Sequence, residues 1–166
     1  MQQLVAYNID ILRKIDALLM QLSNTQLQRP SALLFGGTIG QHLRHILEFH
    51  TCLLANNEVE RFSYDRRARN LLIETEVDVA RSATDNNIRL MSGLTHDRDL
   101  VMESELPGSA DPVVQRTTLK RELAYLADHG VHHLAMVRMV LEQELPHVAF
   151  PEHLGVAAST RNHRAR

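Results

Sequence analysis

Cysteine is nearly absent from this chain. Cys52 is the only one among 166 residues, so no internal disulfide can form, and its apolar setting in CLLA reads as a buried thiol acting as a small hydrophobe. A dominant charge is missing too: a formal net charge of -2 and a pI near 6.5 give no overall electrostatic reason to bind nucleic acid. No stretch approaches the ~20 apolar residues of a membrane span. The opening MQQLVAYNIDILRKID lacks the basic region, apolar run and cleavage site of a signal peptide. Neither a Ser-His-Asp pattern nor a P-loop is present to carry catalysis. These absences lead to the expectation of a cytoplasmic protein with no membrane or nucleic-acid partner.

Histidine, by contrast, is abundant and clustered. Six of ten histidines fall in two windows, QHLRHILEFH with His42, His45 and His50, and HGVHH with His129, His132 and His133. Both windows read as helix, where residues i and i+4 share a face, so His129 and His133 can aim two imidazoles at one point. A third ring from the other helix completes a metal site. His45 suits that role better than His50, which lies about 140° further round the helix at ~100° per residue. A lone histidine is more often a surface or hydrogen-bonded core residue, but here the pair and the second window act together. Three neutral imidazoles suit zinc, nickel or iron and leave a coordination position open. His42, one turn before His45, is either a fourth ligand or a base. Glu48 is either a solvated carboxylate or the acceptor that metal-bound histidines usually have. His42 and Glu48 are therefore the candidates for moving a proton. His132 points about 100° away from His133 and reads as a packing or surface residue.

Apolar periodicity predicts four helices: residues 3–23, 38–56, 72–94 and 117–144. Thr38-Ile39-Gly40-Gln41 has the spacing of a capping box that starts the second, and Pro146 stops the fourth. DLVMESEL and DPVVQRTTL flank the turn-rich PGSADP and predict a small hairpin between the third and fourth helices. The expected fold is an all-α four-helix bundle in a single domain, 1–166, with 151–166 an irregular tail. A link of roughly 16 residues after the second helix can run back along it, as in bundles with one long crossover. That link, which includes EVERFSYDRRARN, carries Arg61, Arg66, Arg67 and Arg69 beside Tyr64 and Asp65. Such a run is usually a solvated face. If it passes the mouth of the bundle, a guanidinium there can hold a carboxylate or phosphate, with Arg66 and Arg69 as the candidates and Tyr64 and Asp65 beside them.

TIGQHLRHILE and RELAYLADHGVHHLAMVR, supported by YDRRARNLLIETEVDVA and FPEHLGVAAST, resemble the DinB-like (YfiT-like) superfamily of bacterial metal-binding four-helix bundles. That resemblance implies up-down-down-up topology and one divalent metal held by His45, which ends GQHLRH, and by His129 and His133 of HGVHH. The Arg-Gly-Gln that usually follows the last histidine is Leu134-Ala135-Met136 here. Relatives transfer small thiols such as bacillithiol or mycothiol, act on maleylpyruvate or serve ergothioneine synthesis. The implied function is a metal-dependent enzyme for a small-molecule substrate, by thiol transfer or hydrolysis, and a homodimer. The alternative is a non-enzymatic, metal-stabilised stress-response or interaction module in which His42 closes the site.

Overall fold

The computed structural model describes residues 1–55 and 61–164. In chain order these form α1 (Gln2–Leu19), α2 (Asn24–Gln28), a single 3-10 turn (Ala32–Leu34), α3 (Ile39–Ala55), β1 (Arg61–Phe62), α4 (Leu72–Thr75), α5 (Val77–Ser92), β2 (Asp99–Ser104), β3 (Val113–Thr118), α6 (Leu119–Glu144) and α7 (Ala158–Arg164). Helices α1 and α3 each pack against both α5 and α6. Helix α1 buries Ile11, Leu12, Ile15, Leu18 and Leu19, the three-and-four spacing of an amphipathic stripe.

Local capping sets the helix ends. The first helix stops short of the expected residue 23 because Ser23 and Gln26 form a capping box of their own, each side chain taking the other's backbone N–H, which starts α2 within what reads as linker. At α3 the Thr38 Oγ1 accepts from the Gln41 N–H at 3.1 Å, and Gln41 Oε1 accepts from the Thr38 N–H at 3.2 Å. The expected third helix is split at Glu76, whose backbone is extended. Asn24 reaches across from α2, donating to the Glu76 carboxylate and accepting from the Val77 N–H at 2.9 Å, so a neighbouring segment caps α5.

The all-α expectation, a four-helix bundle with up-down-down-up topology and one long crossover, is overturned. The described residues form seven helices and a three-stranded mixed sheet in the order β1-β2-β3. β2 and β3 pair antiparallel, with Leu100 opposite Thr117, while β1 adds in parallel, with Phe62 opposite Met102. The reason lies in the link after α3. Its Phe62 and Tyr64 are buried with Leu100, Leu119 and Leu123 in a second apolar cluster, so its backbone is held on the sheet instead of looping through solvent. Residues 56–60, which include the expected end of the second helix and the start of that link, lie outside the described residues. The 151–166 tail is not wholly irregular either, since it contains α7. Arg138 of α6 ties it down, donating to the Glu152 carbonyl at 2.5 Å and to the Leu154 carbonyl at 3.4 Å.

Two features set the helices at their working distance. Gly130 of α6 faces Ile11 and Ile46, where an added Cβ would come within 3.3 Å of the Ile11 side chain. Close by, buried Asn8 of α1 donates to the Leu4 carbonyl at 2.8 Å and to the Leu123 carbonyl of α6 at 2.9 Å. The Asn8 Oδ1 lies 3.1 Å from Nε2 of His50 on α3, and the His50 Nδ1 lies 2.9 Å from the Ile46 carbonyl.

Candidate metal centre

Helix α3 presents His45 and helix α6 presents His129 and His133. The ring centroids are 4.9 Å apart for His45 and His129, 4.6 Å for His45 and His133 and 4.6 Å for His129 and His133. One ligand atom from each ring lies within 4.8 Å of the other two, so the three could hold one metal ion. Nε2 of His129 and Nε2 of His45 are 2.8 Å apart. Two ligands on a tetrahedral zinc, each at about 2.0–2.1 Å, sit roughly 3.4 Å from each other. The rings therefore need to open by about half an ångström to admit an ion. The donor set fits: three imidazoles with no carboxylate or thiolate among them.

Electrostatics keeps these rings neutral. Burial, reinforced by His129 and Arg67, pushes His45 down to about 4. Burial and then the neighbouring His45 and His129 push His133 down to about 3. His129 is lowered as well, by burial first and His132 second. Lone pairs are thus available near pH 7, as metal ligation requires.

The surroundings divide into two sides. On one, Phe49 stacks on His129 at 4.6 Å between centroids and Tyr125 at 5.4 Å. These two rings, with Tyr64, Asp65 and buried Glu122, line a small cavity of about 220 Å³. Tyr64 donates to Glu122 Oε2 at 3.0 Å, and Thr117 donates to Glu122 Oε1 at 2.6 Å. On the other side, Arg67 donates to His45 Nδ1 at 3.2 Å and to the Tyr64 carbonyl at 2.9 Å, with its guanidinium 4.7 Å from the Phe49 ring centre.

The other candidates from the sequence take varied positions. His42 meets the cluster, its Nδ1 2.9 Å from Nδ1 of His133. Glu48 is buried among arginines, its Oε1 accepting from the Asn70 N–H at 2.7 Å and its Oε2 3.5 Å from Arg67 Nε. Arg66 is exposed and paired with Glu103 at 3.2 Å and Glu105 at 3.0 Å, and Asp65 accepts from the Glu105 N–H at 2.9 Å. Arg69 is exposed. His50 belongs to the Asn8 contact and not to the cluster. Arg67 is the residue that the sequence did not single out, because within DRRAR nothing distinguishes the one partly buried arginine from its exposed neighbours. Glu122 had one signal: it lies seven residues before His129, on the same face of α6.

Fold and site together define a mixed α/β chain with a three-histidine cluster between two helices. No family model, curated protein or solved structure matches it. Among the described residues no helix is long and apolar enough to cross a membrane.

Proposed function

We propose that His45, His129 and His133 bind one divalent metal ion, zinc, nickel or iron, and that the chain is a metal-dependent enzyme acting on a small molecule by thiol transfer or hydrolysis. The observation carrying this reading is the convergence of three neutral imidazoles from two helices within one ion's reach. When bound, such an ion supplies Lewis acidity, lowering the pKa of a thiol or water and polarising an acceptor. GQHLRH and HGVHH support placing the chain with the DinB-like proteins in this respect.

The chain's own residues have separate tasks. Nδ1 of His42 lies 2.9 Å from Nδ1 of His133, so a hydrogen bond between them would hold the His133 ring with its Nε2 left for an ion, and His42 is the imidazole placed to take up or release a proton beside the site. Glu48 holds the Asn70 end of the link and neutralises Arg67. Tyr64 and Asp65 line the small cavity beside Phe49 and Tyr125, the two rings that stack on His129, while Arg66 is held by Glu103 and Glu105 and Arg69 is exposed.

The proximity of His42 favours a second reading. If its ring turns inward as a fourth ligand, the site is closed and the chain is a metal-stabilised module without catalysis. Cobalt-substituted protein separates the two. An exchangeable water in its spectrum supports the enzyme, and a water-free tetrahedral spectrum supports the module. Calorimetric titration with zinc tests the shared premise: one ion per chain is expected, with binding lost in His133→Ala. Unchanged zinc binding in that variant rejects the site.

A further inference from the structure

β3 ends the three-stranded sheet: β2 pairs with one of its edges and, among the described residues, no strand pairs with the other. One bond fixes where its backbone groups point. The Leu119 N–H donates to the Arg98 carbonyl at 2.9 Å, and these two residues continue the register that sets Asp99 opposite Thr118. Antiparallel pairs alternate between hydrogen-bonded and non-hydrogen-bonded, so Thr117, Gln115 and Val113 bond to β2 while Val114 and Arg116 turn their N–H and C=O groups to the open edge. Edge strands are ordinarily guarded by lysine, proline, a bulge or very short length. β3 has none of these. VVQRTT runs for six residues without lysine or proline, its register with β2 is unbroken, and Val114 is 54% exposed.

We infer that β3 pairs antiparallel with β3 of a second copy of this chain, about a two-fold axis at Gln115, so that the two sheets become one. Of the registers centred on the strand, only this one is self-complementary. Val114 of each copy stands opposite Arg116 of the other, and each such pair exchanges both backbone bonds, which satisfies the groups those two residues leave free. The aliphatic stem of each arginine then lies against the exposed valine of the other copy. With the axis at Arg116, the two arginines stand directly opposite, like against like. With the axis at Val114, Arg116 faces Pro112, which has no N–H to give it. An axis between residues sets bonding positions against non-bonding ones. The pairing stops at Thr118, the N-cap of α6, whose carbonyl already serves the first turn of that helix. Such a ribbon is narrower than a standard interface, so the dimer dissociates on dilution through the micromolar range. The contact needs neither the histidines nor a metal.

Sedimentation velocity of the full-length, metal-free protein should show a monomer–dimer equilibrium between micromolar and millimolar chain. Val114→Pro removes an edge N–H that β2 does not use, so it should keep the helical circular dichroism and weaken the dimer by at least about tenfold. Crosslinking reads the register. In a Cys52→Ala background, Gln115→Cys brings two thiols together at a non-hydrogen-bonded pair, where Cα atoms are about 4.5 Å apart and within reach of a disulfide, and it should oxidise to a covalent dimer. Arg116→Cys, which faces Val114 and not its own copy, should stay largely uncrosslinked. A monomer at every concentration overturns the inference, including the case in which the edge serves a strand of a different protein. A dimer undiminished in folded Val114→Pro, or equal crosslinking by the two cysteine variants, also overturns it. Should Val114→Pro not fold, the two cysteine variants decide alone.

Discussion

At the scale of single residues, the cluster is held ready by what surrounds it. His45 and His133, pushed by burial to about 4 and about 3, are bases whose folded values lie below the ordinary value near 6.5. Between these limits the unfolded chain binds more protons, so stability of the metal-free protein should be full above about pH 6.5 and fall as the pH drops towards 4. Urea midpoints at pH 7.5 and 4.5 check this, and the loss should be shallower in His133→Ala. Equal losses in both proteins would refute the assignment. Arg67 poses a second question of proton placement. Its N–H donates to His45 Nδ1, which puts the imidazole proton on Nε2, the nitrogen facing His129. Ligation through Nε2 moves that proton to Nδ1, where it opposes the guanidinium. Arg67→Met should therefore bind zinc at least about tenfold more tightly, roughly 1.4 kcal/mol, by competition with a chelating dye. Weaker binding would mean that Arg67 supports the site.

At the scale of elements, the histidine helices were legible because their signals are local. A period of 3.6, a capping box at Thr38 and an i, i+4 histidine pair are each written within a dozen residues. The sheet was only partly so. The alternating segments on either side of PGSADP announced two strands, but β1 is two residues long and exists because β2 accepts it from across the chain. No local pattern reports that. The split at Glu76 was hidden for the same reason, its cap being Asn24 on a different element. Sequence spacing placed His45, His129 and His133 on the right faces, whereas the burial of Arg67 depends on the course of the link. The closeness of α6 to α1 and α3 rests on Gly130, and this can be tested. Gly130→Leu must push α6 away from Ile11 and Ile46 at the level of the histidines. Zinc affinity should fall by more than tenfold while circular dichroism keeps its helical signal. The smaller Gly130→Ala should bind zinc almost normally, its better helix propensity of about 1 kcal/mol offsetting a slight clash.

For the molecule as a whole, the site ties α3 to α6, two helices far apart in the sequence, so occupancy should be felt globally. A ligand present at a thousand times its dissociation constant stabilises the folded state by about 4 kcal/mol. For a chain of this length that raises the midpoint by up to about 10 °C, given roughly 2 cal/mol/K of unfolding entropy per residue. Differential scanning calorimetry with and without zinc should show that rise in the wild type and not in His129→Ala. A similar shift in both would mean that the ion acts elsewhere.

Asn8 has a role of this larger kind. One carboxamide touches α1, α3 and α6 together, through Leu4, His50 and Leu123. His50 stands about 7.5 Å along its helix from His45, and Leu123 about 9 Å along its helix from His129, at ~1.5 Å per residue. Leucine stripes tolerate a slide of one helix past another, since one apolar contact resembles the next. A buried amide does not, because any slide leaves its hydrogen-bonding groups dry and unmatched. Asn8 acts as an index pin: it fixes the axial offset between two rods, and the level at which the imidazoles face each other is a fixed distance counted from it.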